Sequence, residues 1–273
     1  MSSSLHVGVA QLNSTDDWKT NWEQVEYFLE KSKNLDLVCF PENTLFFRIH
    51  GPLKSEIFSL NHVVYDKIKS WADTHNTSVL LGGTPVDIGG EIFNATLFFK
   101  PGQEMQVAYK KIHLFDVVLE GMKIQESTYF KAGDQLKVIE VNGWRLGLSI
   151  CYDIRFPYLY RKYFEQNVDA VLIPSAFTVT TGKAHWEILN RARAIENQFY
   201  VISAAQGGTH QSCLDESYRN TYGHSMVVDP WGELVAESEG EAPDFLVCEL
   251  KKDRLKYVSE RMPVRDHIKD VKI

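Results

Sequence analysis

The chain has 273 residues, 44% hydrophobic, 12% aromatic and 24% charged, with a formal net charge of −7. That length suits one large α/β unit, and the apolar share is enough for a sizeable core. The negative balance argues against nucleic acid or an anionic membrane as main partner. No apolar run reaches the roughly 20 residues of a membrane span. The N-terminus Met1-Ser2-Ser3-Ser4-Leu5-His6 lacks the basic segment and apolar core of a secretory signal. A cytoplasmic protein is therefore expected.

Taken in order, Leu5–Gln11 alternates and reads as a strand. Asn13–Asp17 offers helix-capping side chains ahead of Trp18, Trp22, Val25 and Leu29, which fall on one helical face. Asp36–Phe40 is a near-continuous apolar strand, as found where both faces of a sheet are covered, and it ends at Pro41-Glu42-Asn43. Ile57, Leu60, Val64, Ile68 and Trp71 mark a second amphipathic helix over Ser55–His75. Val79–Gly82 is a strand closed by Gly82-Gly83-Thr84-Pro85. Phe93–Lys100 and Gln106–His113 are strands joined by Pro101-Gly102. Leu114–Gly133 has no clear period and reads as a long ordered loop carrying Glu126.

Val138–Val141 and Arg145–Ile150 flank Asn142-Gly143, a strong hairpin signal. The second strand stops abruptly at Cys151, followed by polar Tyr152, Asp153 and Arg155 and by Pro157, which suits a helical first turn. A helix then runs to Gln166, a strand over Ala170–Pro174 and a helix over Gly182–Phe199. Strands at Tyr200–Ala205, Gly223–Val228, Glu233–Glu237 and Phe245–Leu250 complete the domain, and the tail from Lys251 (251–273) is a helix or arm. Thr209–Asn220 is polar and reads equally as a lid or as a surface loop. The order predicts a single layered α/β domain with helices covering two sheets that face each other, and no G-x-G-x-x-G follows the first strand.

None of the four cysteines sits in a C-x-x-C pair, so neither a disulfide framework nor a zinc site is expected. Cys39 and Cys248 lie in apolar strands and Cys213 in a polar loop; only Cys151 stands at a strand-to-helix elbow. There the following backbone N–H groups can stabilise a thiolate and hold an oxyanion. Glu42 lies just past a strand's carboxyl end, where α/β sheets place ligands, although a surface-turn carboxylate fits the same pattern. Alternation sends Lys110 and Lys111 to opposite faces, so one of them points inward. His113, His185 and His224 offer a Cys–His alternative, with no spacing that ties any of them to Cys151. Pattern nominates Cys151 and leaves its base open.

Four motifs then resemble the nitrilase superfamily of carbon–nitrogen hydrolases: Phe40-Pro41-Glu42, Tyr109-Lys110-Lys111-Ile112-His113-Leu114-Phe115-Asp116, Gln125-Glu126-Ser127 and Cys151-Tyr152-Asp153-Ile154-Arg155-Phe156-Pro157. The resemblance implies a four-layer α-β-β-α sandwich and a Glu–Lys–Cys triad without metal or organic cofactor. Glu42 becomes general base, Lys111 the stabiliser of the tetrahedral intermediate, Cys151 the nucleophile with its thiolate favoured by Lys111, and Glu126 the residue that positions Lys111 and the substrate amide. The Tyr152 N–H would share the oxyanion with Lys111.

Further stretches, among them Ala204-Ala205-Gln206 and Tyr222–Gly232, are similar to the Nit subgroup and its deaminated-glutathione amidase branch. The substrate implied is a small ω-amide cleaved with release of ammonia, deaminated glutathione first and the ω-amidase substrates α-ketoglutaramate and α-ketosuccinamate second. Arg155 is then the carboxylate clamp, with Phe177 and Thr181 lining the pocket. True nitrilase or N-carbamoyl hydrolase activity, and a silent scaffold of the same fold, are the rivals. Tyr158 and Lys183 depart from the family pattern at positions expected to flank the pocket entrance. A homodimer is implied, with Gly182–Phe199 packed across a two-fold axis and the C-terminal arm at the interface.

Overall fold

The computed structural model describes residues 3–50, 58–119 and 122–269. In chain order the elements are β1 (Ser4–Gln11), α1 (Trp18–Lys31), β2 (Leu37–Phe40), α2 (Val63–His75), β3 (Ser78–Ile88), β4 (Glu91–Phe99), β5 (Gln106–Lys110), β6 (Asp116–Leu119) and β7 (Met122–Gln125). The second half holds β8 (Val138–Val141), β9 (Trp144–Leu148), α3 (Pro157–Glu165), β10 (Ala170–Leu172), α4 (Val179–Asn197), β11 (Tyr200–Ser203), β12 (Gly207–Gln211), β13 (Tyr218–Tyr222), β14 (Met226–Val228), β15 (Leu234–Glu237), β16 (Asp244–Lys251) and α5 (Lys252–Arg261).

Two six-stranded sheets are built to similar plans, in the orders β16-β1-β2-β3-β4-β5 and β15-β14-β11-β10-β9-β8. Each has three parallel strands at its centre, β1-β2-β3 and β9-β10-β11, flanked by antiparallel ones. The period-2 alternation of strand side chains sorts the core into layers. Leu5, Val7, Val9, Leu37 and Cys39 pack with Trp144, Leu146 and Leu148 between the sheets. Val38, Phe40, Val79 and Leu81 turn outward onto Val25, Phe28, Leu29, Val64 and Ile68 of α1 and α2. Helices α3 and α4 cover the second sheet with Leu159, Tyr163, Trp186 and Ala194. The result is the expected α-β-β-α sandwich, which explains why β2 is buried along its whole length.

Several boundaries differ from the sequence reading, each for a local reason. The helix expected from Ser55 begins at Val63, capped by the His62 side chain, and Ser55 and Ile57 lie outside the described residues. β3 does not close at Gly82 but runs through a bulge between Leu81 and Thr84 to Ile88, and turns into β4 over Gly89-Gly90, both at positive φ. The stretch expected as one long loop contains the β6–β7 hairpin and a 3₁₀ turn over Glu126–Thr128. Thr209–Asn220 falls within the β12–β13 hairpin. That hairpin is bonded to the loop after β1 through His210 Nδ1 and the Ser14 carbonyl at 2.8 Å and through Ser212 Oγ and Asp16 at 2.6 Å. The described part of the tail folds as α5, with Lys252 bonded to Asp169 at 3.0 Å and Arg254 to Asp229 at 2.5 Å; 270–273 lie outside the described residues.

Candidate active site

The parallel strands of both sheets deliver their carboxyl ends to one place. β2 ends at Phe40 and the chain turns through Pro41-Glu42-Asn43, with Asn43 at φ 62 and its N–H on the Gly83 carbonyl at 3.0 Å. Glu42 is held from behind by Gln206, whose amide donates to the Glu42 carbonyl at 3.0 Å. The bulge of β3 places Gly83 (φ +55) directly against this side chain: a Cβ there would lie 2.4 Å from Glu42 Cγ. Only glycine meets both demands at that position.

Lys111 follows the last residue of β5, its N–H on the Asn94 carbonyl at 2.8 Å. The alternation holds: Lys110 turns to the Phe93 ring at 3.8 Å, while Lys111 is buried. Its ammonium sits between two carboxylates, 2.9 Å from Glu42 Oε1, and 3.0 and 2.8 Å from the two oxygens of Glu126. Asn94 spans the same pair, donating to Glu42 Oε1 and Glu126 Oε1 at 2.8 Å each. The Phe115 N–H closes the set on Glu126 Oε2 at 2.6 Å. Burial alone would lower the Lys111 pKa, but Glu126 and Glu42 outweigh it and hold the ammonium well above its ordinary value.

Cys151 has φ 49 and its N–H bonds the Pro174 carbonyl at 2.9 Å, which seats the elbow on the end of β10. The elbow is fixed to the lysine segment through Asp153, fully buried, which accepts from Ile150 N at 3.0 Å, Tyr109 Oη at 2.8 Å, His113 N at 2.9 Å and His113 Nδ1 at 2.6 Å. One carboxylate thus registers the cysteine turn against residues 109–113. Burial, and then the charge of Glu42, push the Cys151 thiol well above its ordinary pKa, more than Lys111 and the Ala176 N–H pull it down. Lys111 thus favours the thiolate as expected, but burial and Glu42 outweigh it and favour the thiol, within hydrogen-bonding reach of the Glu42 carboxylate.

The Cys–His alternative is also corrected. His113 is committed to Asp153 and, through Nε2, to Tyr158 Oη; His185 contacts Arg155 at 3.2 Å; His224 contacts Glu237 at 3.3 Å. None of the three lines the cavity that the candidate residues share. Tyr158 and Lys183 do not line it either, so neither departure touches the pocket. Tyr158 instead caps the Asp153–His113 chain from the surface.

Glu42, Lys111, Cys151, Glu126, Tyr152, Arg155, Phe177 and Thr181 all line this one cavity of about 110 Å³. Arg155 is half-buried, its guanidinium 5.4 Å from the Phe177 ring centre and 5.8 Å from that of Tyr152. Asn94, Arg48, Arg219, Phe47 and Tyr129 join the lining without having been nominated from sequence. For Asn94 a signal existed, an amide inside the apolar run Phe93–Phe99. Arg48 and Arg219 had none, since they come from a loop and from a hairpin far along the chain. Among the described residues no group of three His, Cys, Asp or Glu side chains could hold a metal ion. The arrangement offers a thiol, an adjacent carboxylate to take its proton, and a fixed cation beside both, in a site largely shut off from water. Those are the parts of acyl transfer.

Comparison with known proteins agrees with this chemistry. The family model described as carbon-nitrogen hydrolase matches residues 6–258. The deaminated glutathione amidase of Synechocystis sp. is 37% identical over 266 residues, covering 94% of this chain and 95% of that protein. Omega-amidase NIT2 of Xenopus tropicalis is 37% identical over 188 residues, 68% of this chain and 66% of that one. The crystal structure of the C. elegans NitFhit protein superposes with a TM-score of 0.85 at 32% identity, covering 98% of this chain and 66% of that chain. With the fold, the cavity and these matches in agreement, the chain belongs to the carbon–nitrogen hydrolase family.

Proposed function

We propose that the protein is an amidase that cleaves a small ω-amide through a thioester on Cys151, with deaminated glutathione as substrate. The observation that carries this reading is the Lys111 ammonium held between Glu42 and Glu126, in the cavity where the Cys151 thiol faces Glu42. Glu42 takes the thiol proton as sulfur attacks the amide carbon. Lys111 and the Tyr152 N–H hold the tetrahedral oxyanion, each such donor contributing typically about 3–4 kcal/mol. Glu42 returns the proton to the departing nitrogen, then takes one from water to hydrolyse the thioester. Glu126 keeps the proton on Lys111, so that the lysine acts as a cation and Glu42 alone as the base.

The amine that leaves depends on the substrate. Deaminated glutathione loses its dipeptide half, which corrects the ammonia release expected for it, whereas a primary ω-amide such as α-ketoglutaramate loses ammonia. Both present an α-keto carboxylate, for which Arg155 supplies a charged fork beside Phe177 and Thr181. The likeness to a named omega-amidase favours the primary amides as the second reading. A nitrilase, an N-carbamoyl hydrolase and a silent scaffold rank below both, since the Synechocystis and Xenopus relatives are named amidases and every group the chemistry needs is present. Comparing kcat/KM for α-ketoglutarate formation from deaminated glutathione and from α-ketoglutaramate tests the assignment. A higher value for the first supports it, and turnover of neither overturns it.

A homodimer through α4 belongs to the same proposal, as does a place for the C-terminal arm at that interface. Ile188 and Ile195 of α4 and nearby Trp231 are exposed apolar side chains suited to a second copy. Sedimentation equilibrium at one protomer's mass would overturn it. A cytoplasmic location fits four cysteines that are all free thiols, and cell fractionation tests it.

A further inference from the structure

Thr181 and His185 lie one turn apart on α4 and so share a face of that helix. Thr181 lines the cavity, and His185 meets Arg155 at the end of the 3₁₀ turn Cys151–Arg155. The helix is fixed against that turn. Arg193 Nε donates to the Ile154 carbonyl at 2.9 Å, and buried Trp186 packs on Phe177 with ring centres 4.7 Å apart. Trp186 Nε1 in turn donates to the His224 carbonyl at 2.7 Å. His185 is therefore carried by a helix already registered to the residue that it contacts.

Among the described residues no carboxylate lies within ion-pair distance of Arg155, and its guanidinium makes one hydrogen bond, from Nη1 to His185 Nδ1 at 3.2 Å. A guanidinium only donates, so Nδ1 accepts, the ring proton sits on Nε2 and the imidazole in this contact is neutral. That choice of partner has a consequence. A carboxylate in the same place would cancel the charge that a substrate carboxylate needs, whereas a neutral acceptor restrains the guanidinium and leaves its charge whole. The Phe177 and Tyr152 rings, 5.4 and 5.8 Å away, offer faces without a directional bond. The N–H groups that His185 does not use suit a bidentate carboxylate. Arg155 lines the cavity and His185 does not, so the histidine holds the arginine without taking the substrate's space. Without that bond the long arginine stem would have to be ordered at each binding event, a cost that appears in KM.

We propose that His185 is a positioning residue that sets Arg155 for the acyl-side carboxylate of the substrate. Selection for α-keto acid amides then depends on a side chain outside the cavity. This rests on the reading of Arg155 as the carboxylate clamp, and it gives a role to a histidine that the Cys–His alternative could not.

The test uses the full chain and two substrates: deaminated glutathione, and the same compound with only its α-keto carboxylate masked as a methyl ester, both followed by release of the dipeptide. Wild type should prefer the free acid by about tenfold or more in kcat/KM, and Arg155→Gln should abolish that preference. His185→Ala should raise KM for the acid about fivefold, with kcat within about twofold and the ester unaffected. His185→Asn, which keeps a neutral acceptor near the place of Nδ1, should recover most of the loss. A His185→Ala variant with unchanged KM for the acid overturns the proposal, as does a loss of equal size on acid and ester, which marks a structural effect. Failure of His185→Asn to do better than His185→Ala overturns it too. If Arg155→Gln keeps the preference for the acid, the clamp reading itself has failed; if Arg155→Gln abolishes it and His185→Ala does not reduce it, the positioning claim alone has failed. Turnover of neither compound by wild type ends the substrate reading and this proposal with it.

Discussion

Lys111 Nζ lies 2.9 Å from Glu42 Oε1, and neither side chain reaches more than 5% exposure. A lone buried ion pair rarely repays its desolvation. Here Glu126 and Asn94 complete it, so that the cation is over-supplied with acceptors and Glu42 keeps a carboxylate facing the thiol. This is a structure arranged for chemistry, with one base and one fixed cation.

Glu126→Gln removes one of the two charges that hold the Lys111 proton. The Lys111 pKa then falls, because the larger of the two carboxylate charges that oppose burial is gone. We predict a kcat loss of about 100-fold, of the size of one oxyanion donor, with the alkaline limb of the rate profile moved to lower pH. A kcat–pH series checks this. An unmoved alkaline limb would show that Glu126 does not hold the lysine proton.

Gly83→Ala should damage activity more than the fold. The added Cβ meets Glu42 Cγ at 2.4 Å, and φ +55 disfavours any L side chain. The strain is of order 1–3 kcal/mol, whereas a displaced base costs about 100-fold in rate. Thermal unfolding and kcat measured on one preparation separate the two effects.

Asn94→Ala removes one of the two donors that Glu42 and Glu126 share, the other being Lys111. We expect about 1–3 kcal/mol of lost stability from under-satisfied buried carboxylates and a fall in kcat at unchanged substrate range. Urea titration and steady-state kinetics test this together. Full activity would remove Asn94 from the site.

His210 gives a stability prediction with a defined pH window. It is fully buried between the Ser14 carbonyl, Thr221 Oγ1 and the Phe47 ring, and burial lowers its pKa from 6.5 to about 4. The unfolded chain therefore binds this proton at higher pH than the folded one. The stability is present above pH 6.5 and is lost as pH falls from 6.5 towards 4, by about 3 kcal/mol at most. Unfolding midpoints across pH 4–7 should show the slope in wild type and a shallower one in His210→Gln.

Much of this site was legible because it is local. Cys151 announces itself by an apolar run that breaks at a polar turn, whereas Glu42 and Lys111 needed the family resemblance, because a turn carboxylate and either lysine of the pair fit the pattern equally. The sandwich follows from the order of elements and from a strand apolar on both faces. What stayed hidden is what only tertiary contact creates. The direction of the Cys151 pKa depends on burial and on Glu42, which sits 109 residues away in sequence. The commitment of His113 to Asp153, the Asn94 bridge and the Arg219–Arg48 hydrogen bond each join segments that no spacing rule connects. The β6–β7 hairpin escaped because its strands are only four residues each, and the β12–β13 hairpin because its strands are short and polar, so neither period stands out.

The most direct test of the account is the mass of a covalent intermediate. Wild-type protein quenched during turnover of deaminated glutathione, then digested, should yield an α-ketoglutaryl thioester on the peptide containing Cys151. Cys151→Ala should show neither adduct nor turnover. An acyl group found on Lys111 or elsewhere, or full activity in Cys151→Ala, would contradict the mechanism at its centre.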